Sequence, residues 1–94
     1  MAIRSFKDRR GPLLAQGERP RDFPPDLVAV AKRKLRSLEA AEALGDLAQV
    51  TGNRLEKLRG DRSGQWSIRI NDQWRICFHW RTDGVHDVEV VDYH

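Results

Sequence analysis

Apolar positions recur at two different periods along this chain, and the change comes near Asn53. Across residues 26–44, Leu27, Ala31, Leu35 and Leu38 fall about 3.6 residues apart, the spacing that gathers side chains on one face of a helix. Pro24-Pro25-Asp26 suits its start, because proline is tolerated in a first helical turn and an aspartate there meets the positive end of the helix dipole. No glycine or proline interrupts residues 26–44, and the alanines at 40, 41 and 43 favour helix, so the sequence predicts one helix running to about Leu44 with Gly45 as its C-cap. Lys32, Arg33, Lys34 and Arg36 leave the apolar stripe for other faces, and a connector from Asp46 to Asn53 follows.

Upstream the pattern is weaker. Ile3 and Phe6 bracket a short strand, either an edge or one paired by a distant partner, which ends in the basic, turn-rich Lys7-Asp8-Arg9-Arg10-Gly11-Pro12. Residues 13–23 hold one apolar turn, Leu13-Leu14-Ala15, among Gly17, Pro20 and several charges, which predicts at most a short helix followed by a mobile linker.

Beyond Asn53 the period becomes two. Leu55 and Leu58 flank a short strand; Trp66, Ile68 and Ile70 then alternate with Gln65, Ser67 and Arg69, and Trp74, Ile76, Phe78 and Trp80 with Arg75, Cys77 and His79. In a last strand over residues 85–93, Val88 and Val90 oppose Asp87, Glu89 and Val91, and simple alternation puts Tyr93 with the latter set. Helices first and a β-meander second describe an α+β fold, with helices packed on one face of a curved antiparallel sheet. A three-residue Asn71-Asp72-Gln73 loop pairs Ile70 with Trp74, Ile68 with Ile76 and Trp66 with Phe78, whereas a two-residue loop would scramble both faces. By the same parity the tryptophans belong to the core, and Arg69 faces Arg75 across the outer side.

With 94 residues the chain is expected to form one domain, residues 1–94, since two cores would each approach the roughly 40-residue limit of independent stability. A formal net charge of +3 and a sequence pI near 9.5 favour a polyanion or an acidic protein as partner. Cys77 is the single cysteine, and the histidines at 79, 86 and 94 lack metal-ligand spacing, so neither disulfide, metal nor other cofactor is expected. The N-terminus is charged within four residues and no window approaches a membrane span, which predicts a cytoplasmic protein without membrane contact.

Two like charges directly opposite on a sheet repel unless an anion lies between or above them, so Arg69 and Arg75 suggest a phosphate seat. Alone, they read equally as a solvated surface. Arg54, Lys57, Arg59 and Arg62 lie in the adjoining strand and turn, and arginine forks suit bidentate phosphate contacts, so the cluster as a whole favours RNA. At the C-terminus, Tyr93 and His94 beside such arginines could cleave RNA without a metal: one group assists removal of the 2′-OH proton and another protonates the 5′ leaving oxygen. A lone terminal histidine would otherwise mean nothing.

Taken in order, Gly52-Asn53-Arg54-Leu55-Glu56-Lys57-Leu58, the Arg59-Gly60-Asp61-Arg62 turn, Ser67-Ile68-Arg69-Ile70-Asn71-Asp72-Gln73-Trp74-Arg75-Ile76 and the closing Val88-Glu89-Val90-Val91-Asp92-Tyr93-His94 closely resemble HigB-type toxins of the RelE/ParE superfamily. The resemblance covers nearly the whole chain. It implies a RelE-like fold and a ribosome-dependent mRNA endonuclease, the toxin of a type II toxin-antitoxin system. It also implies silencing by a cognate HigA-type antitoxin with a helix-turn-helix domain, and contact with operator DNA only through that antitoxin. Carried over by position, it assigns catalysis to Asp92, Tyr93, His94 and Arg59, and phosphate contacts to Arg69 and Arg75. Some members have a histidine three residues before a lysine at the position of Arg59; this chain has Glu56 there, and a glutamate facing a phosphodiester implies slower or differently arranged catalysis. A noncatalytic module binding the ribosome or an acidic partner through the same groove is the alternative, and the gyrase-poisoning branch, which lacks the closing Asp-Tyr-His, ranks last. Residues 7–21 and the cationic side of the long helix are candidate surfaces for the antitoxin.

Overall fold

The computed structural model describes residues 1–92. Four antiparallel strands form one sheet in chain order: β1 (Glu56–Lys57), β2 (Trp66–Arg69), β3 (Trp74–Arg81) and β4 (Gly84–Asp92). Three helices, α1 (Arg10–Ala15), α2 (Val28–Ala40) and α3 (Leu44–Ala48), cover one of its faces, and a 3₁₀ turn, Pro25–Leu27, leads into α2. Leu14, Ala31, Leu35, Leu38 and Leu47 from the helices pack with Ile68, Ile76, Phe78, Val85, Val88 and Val90 from the strands, the α+β arrangement that the change of period predicts.

The hairpin register is the one that parity requires. Trp66 pairs with Phe78, Ile68 with Ile76 and Arg69 with Arg75. Ile70 N donates to Trp74 O at 2.9 Å, so the loop is Asn71-Asp72-Gln73. Asn71 closes it, its Oδ1 accepting from Gln73 N (2.9 Å) and Trp74 N (2.7 Å), a local bond that asparagine makes readily in turns. Trp74 is buried edge-on against Phe23 with ring centres 4.8 Å apart, and Trp66 and Trp80 pack partly buried against the same core.

At the far side of the sheet the N-terminal segment runs parallel to β4. Ile3 bridges to Val85 and Phe6 to Val88, so β4 is the distant partner of this short apolar segment. Gly84 permits the approach: its φ is +145°, and a Cβ there would lie 2.6 Å from Ala2 O. Gly84→Ala must both strain the backbone and push this segment off, and a loss of about 1–3 kcal/mol is expected in denaturant unfolding.

Three local expectations give way. The helix predicted over residues 26–44 ends at Ala40, where Ala41 turns to extended backbone (ψ 136°), and α3 starts after a break, with Gly45 inside it instead of capping α2. Asp46 stabilises the new start, its Oδ2 accepting from Glu42 N (2.9 Å) and Ala43 N (3.1 Å), and the turn brings Leu47 into the core. Residues 13–23 are no linker, because Leu14 and Phe23 are fully buried and α1 begins three residues before Leu13. Lys34 is buried against Asn53, not directed to solvent.

In β4 strict alternation fails at one point. Pairing slips between Cys77↔Glu89 and His79↔His86, leaving Asp87, at φ 53°, as an extra residue. This bulge lets Val85 and Val88, three residues apart, both reach the core.

Candidate functional site

Strand pairing lays two rows of side chains across the sheet face opposite the helices. One row is Arg69, Arg75 and Val91; the next is Glu56, Ser67, Cys77 and Glu89. Ser67 and Cys77 are fully buried and Arg75 is only 8% exposed, so the centre of this face is not the solvated surface that two facing arginines would suggest.

Arg75 is built into the sheet. Its Nε donates to Ser67 Oγ at 2.8 Å, its Nη2 donates to Arg54 O at 2.8 Å, and Glu56 Oε2 lies 3.9 Å away. Arg69 is more open: its Nη2 donates to Asp72 Oδ1 at 2.6 Å, and its backbone N to Asn53 O at 2.6 Å. Each arginine thus has a nearby carboxylate, which offsets their mutual repulsion in the absence of another anion. The Arg69 hydrogen bond and charge hold the Asp72 carboxyl below the usual carboxylate range. Because Asp72 is exposed, a phosphate can displace it. Asp72→Asn is expected to raise RNA affinity at low salt by up to about fivefold, the scale of a surface ion pair, measurable by filter binding.

Arg62, at the end of the 3₁₀ turn Gly60–Arg62, donates through Nη1 to Glu89 Oε1 (3.0 Å) and Gln65 Oε1 (3.2 Å). Arg59 is exposed just before that turn, and Arg54 is exposed at a positive φ of 45° with its carbonyl turned to Arg75. Lys57 pairs with Trp66 and so projects from the helix side; its Nζ lies 6.0 Å from the Trp66 ring centre, away from the arginine row. Asp92 pairs with Trp74, which gives it the helix-side parity as well, and its Oδ2 accepts from Gln73 Nε2 at 3.0 Å. Tyr93 and His94, expected to carry proton transfer, lie outside the described residues. Burial pushes the Cys77 thiol up, which keeps it protonated and a poor nucleophile.

A family model described as the RelE-like toxin of the type II toxin-antitoxin system HigB matches residues 5–94. The chain belongs to this HigB-like family. It is 42% identical over 77 residues to Toxin HigB-1 of Vibrio cholerae, which covers 82% of this chain and 80% of that relative. Endoribonuclease HigB of Proteus vulgaris is 30% identical over 92 residues, 98% of this chain and 99% of the relative. Being a HigB-family toxin of a type II system, the protein has an antitoxin as partner.

The structure brings Arg62, Arg69 and Arg75 to one face of this toxin, sets the Arg54 carbonyl against Arg75, and leaves Lys57 on the other face. It also adds residues that the sequence does not single out. Ser67 and Asn53 are fully buried polar groups that hold Arg75 and Arg69. Parity places Ser67 in the row beside Arg75, but its bond to the guanidinium depends on a rotamer that no spacing reveals. No helix among the described residues is long and apolar enough to cross a membrane.

Proposed function

We propose that this toxin is a ribosome-dependent mRNA endonuclease whose scissile phosphate seats over Arg69 and Arg75. The observation that carries the reading is the pairing of these two arginines on a face whose centre is buried, with Arg75 preorganised by Ser67 and Arg54. Fixed donors aimed at developing charge need no reorganisation during the reaction. The name of the Proteus vulgaris relative, an endoribonuclease, supports the same reading.

Tyr93 follows Val91, the strand partner of Arg75, by two residues in the chain. In the mechanism we assign, Tyr93 and His94 share the proton transfers: one takes the 2′-OH proton as the 2′-oxygen attacks phosphorus, the other protonates the 5′-oxygen as its bond to phosphorus breaks. The product is a 2′,3′-cyclic phosphate or, after water attack, a 3′-phosphate. Arg59, Arg69 and Arg75 neutralise the phosphorane, and Arg54 and Arg62 extend the cationic rim along the RNA backbone. Asp92 ties the end of β4 to the 71–73 loop through Gln73 and so orients the catalytic end of the chain. Glu56, drawn to Arg75, competes with the phosphate and slows the reaction.

The antitoxin in this reading carries a helix-turn-helix domain of the HigA type, and operator DNA is met only through it. Arg9, Arg10 and Arg21 outnumber Asp8 in one groove with Leu13 and Pro20, a net-cationic surface that fits an acidic segment bearing apolar side chains.

Controlled expression, with primer extension on the cell's transcripts, tests the assignment. Growth arrest accompanied by breaks confined to translated regions is expected. Arrest with intact mRNA on toxin-bound ribosomes would select a noncatalytic ribosome-binding module, and loss of DNA supercoiling would select gyrase poisoning.

A further inference from the structure

Lys34 sits on α2 in the helix layer, yet its ammonium reaches the segment that leads into β1. Its Nζ donates to Asn53 Oδ1, and Asn53, itself fully buried, donates from Nδ2 to Leu47 O at 3.0 Å. The Asn53 backbone is held too: its N donates to Val50 O at 3.1 Å, and its carbonyl accepts from Arg69 N at 2.6 Å. The next carbonyl, that of Arg54, accepts from the Arg75 guanidinium at 2.8 Å.

Two consecutive carbonyls therefore locate the two arginines. The peptide between them leads into a positive φ of 45° at a non-glycine residue, a conformation that persists only where the surroundings impose it. Strand β1 begins only at Glu56, so regular sheet pairing does not supply that constraint. The hydrogen bonds around Asn53 do, and the buried Lys34-Asn53 contact is the one among them that comes from α2. Burial, and then the charges of Arg33 and Arg69, lower the Lys34 pKa.

We infer that Lys34 and Asn53 are positioning residues for cleavage: they fix the 53–54 backbone from the helix layer so that Arg69 and Arg75 are held in register for the phosphate. The inference rests on the assignment of those arginines to the scissile phosphate. Neither residue touches RNA in this account.

Lys34→Met keeps the buried stem and removes the ammonium. In the full-length variant, folded by circular dichroism and still bound by antitoxin, single-turnover cleavage of ribosome-bound mRNA is expected to fall at least about tenfold with ribosome affinity unchanged, the mark of lost alignment. Hydrogen exchange at the Arg69 amide is expected to accelerate by about as much, while amides between β3 and β4 keep their protection. Combined with Arg69→Ala, the variant should add little further loss. Should Lys34→Met fail to fold, Asn53→Ala removes the acceptor instead and is read the same way. Wild-type cleavage and wild-type Arg69 exchange in the folded variant overturn the inference. Wild-type cleavage by Arg69→Ala and Arg75→Ala overturns the phosphate assignment, and the exchange arm still decides whether Lys34 places Arg69.

Discussion

Replacing His94 with alanine, or ending the chain at Asp92, is expected to lower mRNA cleavage by about 10²–10⁴-fold, the range that a positioned general acid or base contributes. Proton transfer sets the size of this loss. A 2′-oxygen attacks phosphorus poorly while it keeps its proton, and a 5′-alkoxide leaves poorly without one, so deleting one partner stalls the step at which bonds to phosphorus change. Affinity for the programmed ribosome is expected to hold, because the arginines and the basic rim precede residue 92. Stability should hold as well, since the described core cluster ends at Val90. Primer extension on stalled translation complexes, alongside growth curves, reads the effect. Undiminished cleavage and growth arrest in the truncated toxin would remove Tyr93 and His94 from the mechanism. Tyr93→Phe separates the two proton carriers: it is expected to cost less than loss of His94, because tyrosine lies farther from its ordinary ionisation near neutral pH.

How far the sequence reaches depends on whether each feature is set locally. Parity of Trp66, Ile68 and Ile70 against Trp74, Ile76 and Phe78 is a local property, and burial of one sheet face leaves one register that satisfies it, so the Arg69-Arg75 pair is legible from spacing alone. The break at residues 41–43 is not. Alanine favours helix wherever it stands, and only the benefit of burying Leu47, together with the Asp46 cap, overrides that preference. An aspartate three residues after Ala43 is the available cue. Lys34 reads as a surface residue because its partner, Asn53, lies 19 residues away and nothing in helical spacing identifies it. Residues 13–23 look like a linker because isolated apolar residues among prolines and glycines carry no period, although Phe23 fills a full core position against Trp74. Similarly, the sequence places basic residues near one another but does not tell which side of an edge strand each leaves from. Lys57, one residue past Glu56, points the other way.

Arg75 is where fold and chemistry depend on the same side chain, and its replacement is expected to damage both. In Arg75→Ala, fully buried Ser67 Oγ loses its donor, at about 1–3 kcal/mol, and the part-buried Arg54 O loses its guanidinium partner, at about 1 kcal/mol, so the folded state should lose roughly 2–4 kcal/mol. That is a large part of the roughly 5–15 kcal/mol typical of domains, and thermal unfolding should show it as a drop of Tm on the order of 10–20 °C. Arg75→Lys separates charge from geometry. A single ammonium keeps the positive charge beside Glu56 but cannot span Ser67 Oγ and Arg54 O as a planar fork does, so stability is expected to recover only in part. Cleavage, measured well below both melting temperatures, should remain about 10²-fold down in the lysine variant, the scale of a lost preorganised donor. If Arg75→Lys restores cleavage while its Tm stays low, a diffuse positive charge suffices and the preorganised fork is not what the reaction uses. If it restores Tm while cleavage stays low, the phosphate reads the orientation of the guanidinium, and the Ser67 and Arg54 bonds exist to set that orientation.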